Sequence, residues 1–181
     1  MKFEPLSLKG AYLIRLEPHF DERGWFARTY SREEFKVIGH NSDWVQLNHS
    51  FTIKKGALRG LHFQRPPFEE IKLVRCIAGE VLDVVVDIRK GSPTFLKWTS
   101  VNLTAQGREM IYIPEGFAHG FQTLTDNAEL IYHHSEAYHP GAEGGLRFDD
   151  HMLGIDWPLP VSEISRRDLE HTYLTPEFIG I

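Results

Sequence analysis

Two short segments, each patterned as a β-strand and each carrying one histidine, constrain this chain most. GALRGLHFQ starts at Gly56 and presents His62, while YIPEGFAHGF places Pro114, Gly116 and His119 in the spacing P-x-G-x-x-H. Between them lies KLVRCIAGEVLDVVVDIRKGSPTF, which reads as core hairpins. From Trp44 onward the chain is strand after strand: stretches such as WVQLNHS and VLDVVVDIR are punctuated by KKG, RPP, RKGSP and PEG. Regular short strands with Gly/Pro turns predict an antiparallel sandwich or jelly roll. His62 and His119 are then delivered to the inside of a small β-barrel.

With 181 residues, the chain fits a single domain long enough to bury a core. Hydrophobic content of 41% with 25% charged residues is that of a globular protein rather than a disordered one. A formal charge of −5 gives no basic field, so nucleic acid is not an expected partner and any phosphate contact must come from local arginines. The single cysteine, Cys76, has no intrachain partner, which fits a reducing compartment. No apolar run approaches the ~20 residues of a membrane span, and MKFEPLSLKG lacks a signal-peptide core, so no membrane partner and a cytoplasmic location are expected.

Ahead of the barrel, GAYLIRLE alternates as a strand, and HFDERGWFARTY turns at Asp21, Arg23 and Gly24 before resuming an extended, aromatic-rich pattern. Ser31 with Glu34 reads as a capping box opening a short helix SREEFKVI that Gly39 ends. In VLDVVVDIR, Leu82, Val84, Val86 and Ile88 share one face. Asp83, Val85 and Asp87 share the other, which is either solvated or a polar cavity. Ser165 with Asp168 reads as the cap of a last helix.

On an extended segment His62 and Gln64 point to the same side, so an imidazole and an amide look into one cavity if that side is the interior. Lys72 starts an apolar run; it is either solvated or, facing the cavity, able to hold a developing oxyanion. Tyr132 and Tyr138 are either core residues with satisfied hydroxyls or proton donors. Asp168 is either the reciprocal capping partner of Ser165 or more than that. His133, His134 and His139 are expected at the surface. Arg59, Arg23 and Arg28 are candidate anion contacts, Arg59 foremost because it lies beside His62. A metal-binding cupin, the jelly-roll class with this histidine spacing, carries a second histidine where Gln64 stands and usually an asparagine where Thr123 stands. The barrel signal is present while the metal set is broken.

Taken together, DERGWFARTY, QLNHS, LRGLHFQ, KLVRCIAGEVLDVVVDIRKGSPTF, IPEGFAHGF, DDHMLGIDWP and SRRD closely resemble the dTDP-4-dehydrorhamnose 3,5-epimerase family, in family order over about residues 5–170. The resemblance implies an all-β cupin double-stranded β-helix (jelly roll) with a few short peripheral helices, one domain over 1–181. It implies no metal and no cofactor, and a homodimer in which N-terminal strands, about 1–50, are exchanged. The implied activity is inversion of C3 and C5, or C3 alone, of a nucleotide-linked 4-keto-6-deoxyhexose in deoxysugar biosynthesis of the rhamnose or O-antigen type. Residue by residue, His62 resembles the family's base, Asp168 its partner, Tyr132 the acid on the opposite sugar face and Lys72 the enolate stabiliser. Arg59, Gln46, Asn48 and His119 match positions around the sugar and pyrophosphate. Arg23 and Phe26 match the segment that reaches the nucleotide from the other subunit, and Tyr138 an aromatic position near the site.

The chemistry wants such residues. C3 and C5 both adjoin the C4 ketone, so loss of either proton gives an enolate at the same oxygen, and one stabiliser serves two inversions. General acid–base action contributes about 10²- to 10⁴-fold, too little for so weak a carbon acid, so electrostatic holding of O4 must supply much of the rest. Two departures stand out. The resemblance implies dTDP-4-dehydro-6-deoxyglucose as the substrate, but Arg28 stands where the family usually has a glutamate that would accept from thymine N3, and its donors suit cytosine, which makes 3-epimerisation of a CDP-linked sugar the alternative. Glu69–Glu70 stands where a neutral pair is more usual, and Glu69 has the spacing of a cupin metal glutamate. A site of His62, Gln64, Glu69 and His119, and with it a metal-dependent isomerase or dioxygenase, is the competing enzyme reading. A non-catalytic sugar-binding cupin is the other alternative.

Overall fold

Strands make up most of the regular structure in a computed structural model of residues 1–181. The first half contains β1 (Lys2–Pro5), β2 (Tyr12–Arg15), β3 (His19–Asp21), β4 (Gly24–Phe26), helix α1 (Arg32–Phe35), β5 (Gln46–Thr52), β6 (Ala57–Gln64), β7 (Lys72–Ala78) and β8 (Glu80–Asp87). The second half contains β9 (Trp98–Thr104), β10 (Met110–Ile113), β11 (Phe117–Thr123), β12 (Ala128–His134), β13 (Glu143–Gly145), β14 (Glu163–Ile164) and helix α2 (Arg166–Leu169). One sheet has the order β1-β2-β10-β7-β12-β5, and the other β13-β6-β11-β8-β9 with β14 added parallel to β6. All other pairings are antiparallel, as expected for a cupin jelly roll, and β3 with β4 forms a separate ribbon.

Three apolar layers explain why these strands are so continuously hydrophobic. Val74, Cys76, Val85, Ile111, Phe121 and Leu130 come from both sheets and fill the space between them. Leu61, Phe63, Val84, Val86 and Ile88 lie on the outer face of the second sheet and are covered by the C-terminal segment through Trp157, Leu174, Phe178 and Ile181. Ile14, Leu73, Met110 and Tyr112 lie on the outer face of the first sheet under Phe35 of α1. Strand β8 is therefore buried on both sides, which a run of valines suits. The face of Asp83, Val85 and Asp87 is the barrel interior, and both carboxylates are fully buried there.

Local signals fare unevenly. The β3–β4 ribbon turns where Asp21, Arg23 and Gly24 stand, and Gly39 ends the first helix at φ +81° after a 3₁₀ turn over Lys36–Ile38. The capping box is not formed: Ser31 makes no side-chain cap bond, and Glu34 instead binds the N-terminal amine at 2.9 Å and Arg28 at 2.7 Å. Two cations outbid one backbone N–H for that carboxylate. At α2 the cap is made, with Ser165 accepting from the Asp168 N–H.

Candidate active site

Strand parity aims the site. Leu61 and Phe63 belong to the outer layer, so His62 between them points inward, as does His119 next to outward-facing Ala118. His62 and His119 face each other across the β6–β11 pair. Their strands come unusually close at two glycines. A Cβ on Gly60 (φ +120°) would fall 2.5 Å from the Gly120 Cα, and one on Gly120 would fall 2.7 Å from the Arg59 carbonyl oxygen. On the other sheet, Ala128 and Leu130 face the inner core, so Tyr132 and His134 follow them inward on the same period. Asn48, Ser50 and Thr52 do the same on the neighbouring β5.

These side chains surround a cavity of about 720 Å³, which Arg59, Lys72 and the α2 residues Arg167 and Asp168 also line. His62 Nε2 lies 2.7 Å from Asp168 Oδ1 and 3.2 Å from an Arg167 nitrogen. A ring N–H serves only the carboxylate, so the proton on Nε2 is given to Asp168 and Nδ1 is left as the free base nitrogen. Asp168 also accepts from the Gly60 N–H at 3.2 Å. Burial alone would raise its carboxyl, but the bonds from His62, Gly60 and Ser165 outweigh it and hold the group at about 2. It is an anion at any working pH, and far more than a helix cap.

Across the cavity the Tyr132 hydroxyl bonds Ser50 at 3.0 Å. Burial pushes the Tyr132 phenol up, so it keeps its proton. The Lys72 ammonium, nearly buried, lies 3.1 Å from Glu70 and 3.4 Å from the His62 carbonyl. His119 is held by buried Asp83 at 2.9 Å. Arg59 binds Thr52 Oγ1 at 3.1 Å through Nε and the Phe51 carbonyl at 3.3 Å through one terminal nitrogen; the other is free for an anion.

The cavity thus gathers His62, Lys72, Tyr132, Asp168, Arg59, His119 and Asn48. Gln46 sits one step behind it, donating to Asn48 at 3.1 Å and accepting from the Tyr138 N–H at 3.0 Å. Gln64 does not look into the cavity: its amide is consumed by the carbonyls of Phe68 and Ala137 and by the His139 N–H. Tyr138 lies outside the lining with its hydroxyl on Glu143. Arg23 pairs with Asp21 at the ribbon tip, Phe26 is solvent-exposed and Arg28 pairs with Glu34, all away from this cavity.

His134 corrects a sequence expectation. It is not at the surface but 8% exposed, bonded to Glu70 at 2.6 Å. The parity of Ala128, Leu130 and Tyr132 carries the signal that would have placed it inward. His133 is half-buried, its ring edge-on to Trp44, and burial lowers its pKa. Ser50 carries no motif of its own and enters the site through the register of β5; Asp83, on the face that is either solvated or a polar cavity, Glu70, from the loop before β7, and Arg167, within SRRD, take places there to which the sequence assigns no role.

The mixed set of His62, Gln64, Glu69 and His119 is not assembled, because Gln64 is bonded elsewhere. His62, Asp168 and His171 do bring three possible ligand atoms within 4.8 Å of one another. The Arg167 guanidinium beside His62 would oppose a cation there. No helix is long and apolar enough to cross a membrane.

The family model described as dTDP-4-dehydrorhamnose 3,5-epimerase matches residues 5–175. The dTDP-4-dehydrorhamnose 3,5-epimerase of Salmonella typhimurium is 49% identical over 160 residues, covering 86% of this chain and 87% of that one. A dTDP-6-deoxy-D-glucose-3,5-epimerase from Legionella pneumophila, solved in complex with dTDP-4-keto-L-rhamnose, superposes with a TM-score of 0.90 at 37% identity, covering 95% and 92% of the two chains. A 3′-monoepimerase from Streptomyces bikiniensis, solved with dTDP-quinovose, superposes with a TM-score of 0.86 at 36% identity, covering 93% and 86%.

Proposed function

This chain belongs to the dTDP-4-dehydrorhamnose 3,5-epimerase family, and we propose that it inverts C3 and C5 of a dTDP-linked 4-keto-6-deoxyhexose. The observation that carries the mechanism is the 2.7 Å His62–Asp168 bond on one side of a cavity whose other wall holds a protonated phenol and an ammonium.

His62 removes the proton from C3 or C5 through Nδ1, and Asp168 stabilises the imidazolium formed. The electrons move into the C4 carbonyl, where Lys72 holds the enolate oxygen. Tyr132 returns a proton to the opposite face, which inverts the centre, and solvent resets both groups. Arg59, with its unused donors, takes the pyrophosphate, and Asn48 and His119 orient the sugar. Both a 3,5-epimerase and a 3′-monoepimerase share this fold at similar identity, so the count of inverted centres is read from the product.

The nucleotide follows the family. The relatives named above are described with dTDP sugars, and Arg28, the ground for a cytidine alternative, is engaged by Glu34. The protein works as a cytoplasmic homodimer in which the ribbon carrying Arg23 and Phe26 reaches the partner's nucleotide. The exposure of Phe20 and Phe26 on that ribbon, and of Leu47 and Phe51 on edge strand β5, supports this reading. Incubation with dTDP- and CDP-4-keto-6-deoxyglucose, followed by NMR of the products, tests it. Preferential conversion of the dTDP sugar to a product inverted at both centres is expected. Equal or better turnover of the CDP sugar would overturn the nucleotide assignment.

A further inference from the structure

Behind the cavity wall, two proton donors converge on one carboxylate. Glu70 sits just before β7 with its side chain 11% exposed; Oε1 lies 3.1 Å from the Lys72 ammonium and Oε2 lies 2.6 Å from His134 Nδ1. The direction of the second bond follows from the chain of amides beyond it. Gln46 donates to Asn48 Oδ1 at 3.1 Å, which leaves the Asn48 nitrogen, a donor only, facing His134 Nε2 at 3.2 Å. His134 Nε2 therefore accepts, its proton is on Nδ1, and that proton goes to Glu70. Burial by itself would raise the Glu70 carboxyl, but His134 and Lys72 outweigh it and keep the group below the usual carboxylate range.

Lys72 is thus clamped between the Glu70 carboxylate and the His62 carbonyl at 3.4 Å. We propose that Glu70 is a positioning residue for the epimerisation: it aims the Lys72 ammonium at the substrate's ketone oxygen and, through His134, fixes the wall that carries Asn48. This rests on the reading of Lys72 as the group that holds the enolate oxygen. The requirement is for an acceptor at each end of one short side chain. A glutamine offers one acceptor and one donor, so Glu70→Gln sets an N–H against either the ammonium or the Nδ1–H. Aspartate keeps both acceptors on a stem one methylene shorter.

The test uses the full-length enzyme and compares the parent with Glu70→Gln, Glu70→Asp and Lys72→Met on dTDP-4-keto-6-deoxyglucose. Glu70→Gln is expected to lower kcat by about 10²-fold, the size of an ångström-scale misplacement. Its affinity for dTDP, measured by calorimetry, should match the parent, because Glu70 does not line the cavity, while its Tm falls, because the Lys72 ammonium loses its buried carboxylate. Glu70→Asp should recover part of the lost kcat. A Glu70→Gln enzyme with parental kcat at a temperature where it is fully folded, or one whose loss of kcat is matched by lost dTDP affinity, overturns the proposal. Lys72→Met separates the two levels. If it abolishes turnover while Glu70→Gln does not, the enolate reading stands and the clamp falls; if it turns over normally, the reading of Lys72 itself falls.

Discussion

His62 and Tyr132 perform opposite tasks because their surroundings differ. The imidazole rests on a carboxylate that is held at about 2 and is always an anion, so an imidazolium is welcome there. The phenol is buried beside a neutral serine and keeps its proton until an enolate asks for it. Tyr132→Phe should therefore leave proton removal intact and block its return to the other face. We expect solvent deuterium to enter the recovered substrate while inverted product falls by about 10²-fold or more, followed by NMR in D₂O; inversion at the parental rate would remove Tyr132 from the mechanism. At this scale the sequence was informative where a residue sat inside a motif, as His62 and His119 did. It was poor for His134, whose partner Glu70 arrives from a loop, and for Gln64, whose inward-pointing position says nothing of the carbonyls of Phe68 and Ala137 that claim its amide.

Among elements, β8 shows what patterning can and cannot reveal. Its alternation placed Leu82, Val84, Val86 and Ile88 on one face, but only the C-terminal cover over that face makes Asp83 and Asp87 interior residues. Asp87 ties off the strand's end, accepting from Arg89 at 2.7 and 2.9 Å and from Ser92 and Thr94 at 2.6 Å each. Burial opposes its charge, yet these bonds prevail and hold the carboxyl at about 2. A depressed carboxyl adds stability that is complete above its unfolded value, near pH 4, and is lost as the pH falls through about 2. Asp87→Asn should cost about 2 kcal/mol at pH 7, read as a lower urea midpoint, with the gap to the parent narrowing as the pH falls from about 4 to about 2. A gap of the same size at acid pH would show that packing, not charge, carries the staple. The closeness of β6 and β11 at Gly60 and Gly120 was not legible in advance, since a glycine in a strand pattern does not name its neighbour.

Four strands end the two sheets of the whole molecule: β1 and β5 in the first, β13 and β9 in the second. On β5 the outward residues Leu47 and Phe51 are 62% and 51% exposed, and on the β3–β4 ribbon Phe20 and Phe26 are 68% and 73% exposed. A long apolar edge invites another strand, and a second copy of this chain suits it. Light scattering should report a dimer for the parent and a monomer for Leu47→Glu with Phe51→Glu, together with a large loss of dTDP affinity because the partner's ribbon is gone. A monomeric parent would contradict the exchanged-strand assembly. The barrel was legible in strand spacing and turns, whereas a dimer is expected only from the resemblance, because a single chain's pattern does not say whose edge a strand completes.

The central claim is that one imidazole, held by Asp168, labilises both carbons flanking the ketone. Incubation of dTDP-4-keto-6-deoxyglucose in D₂O tests it most directly, with ¹H NMR read at C3 and C5 for the parent and for His62→Ala. Deuterium at both positions with the parent and at neither with the variant is the predicted result; label at either position with His62→Ala above the enzyme-free rate would contradict it.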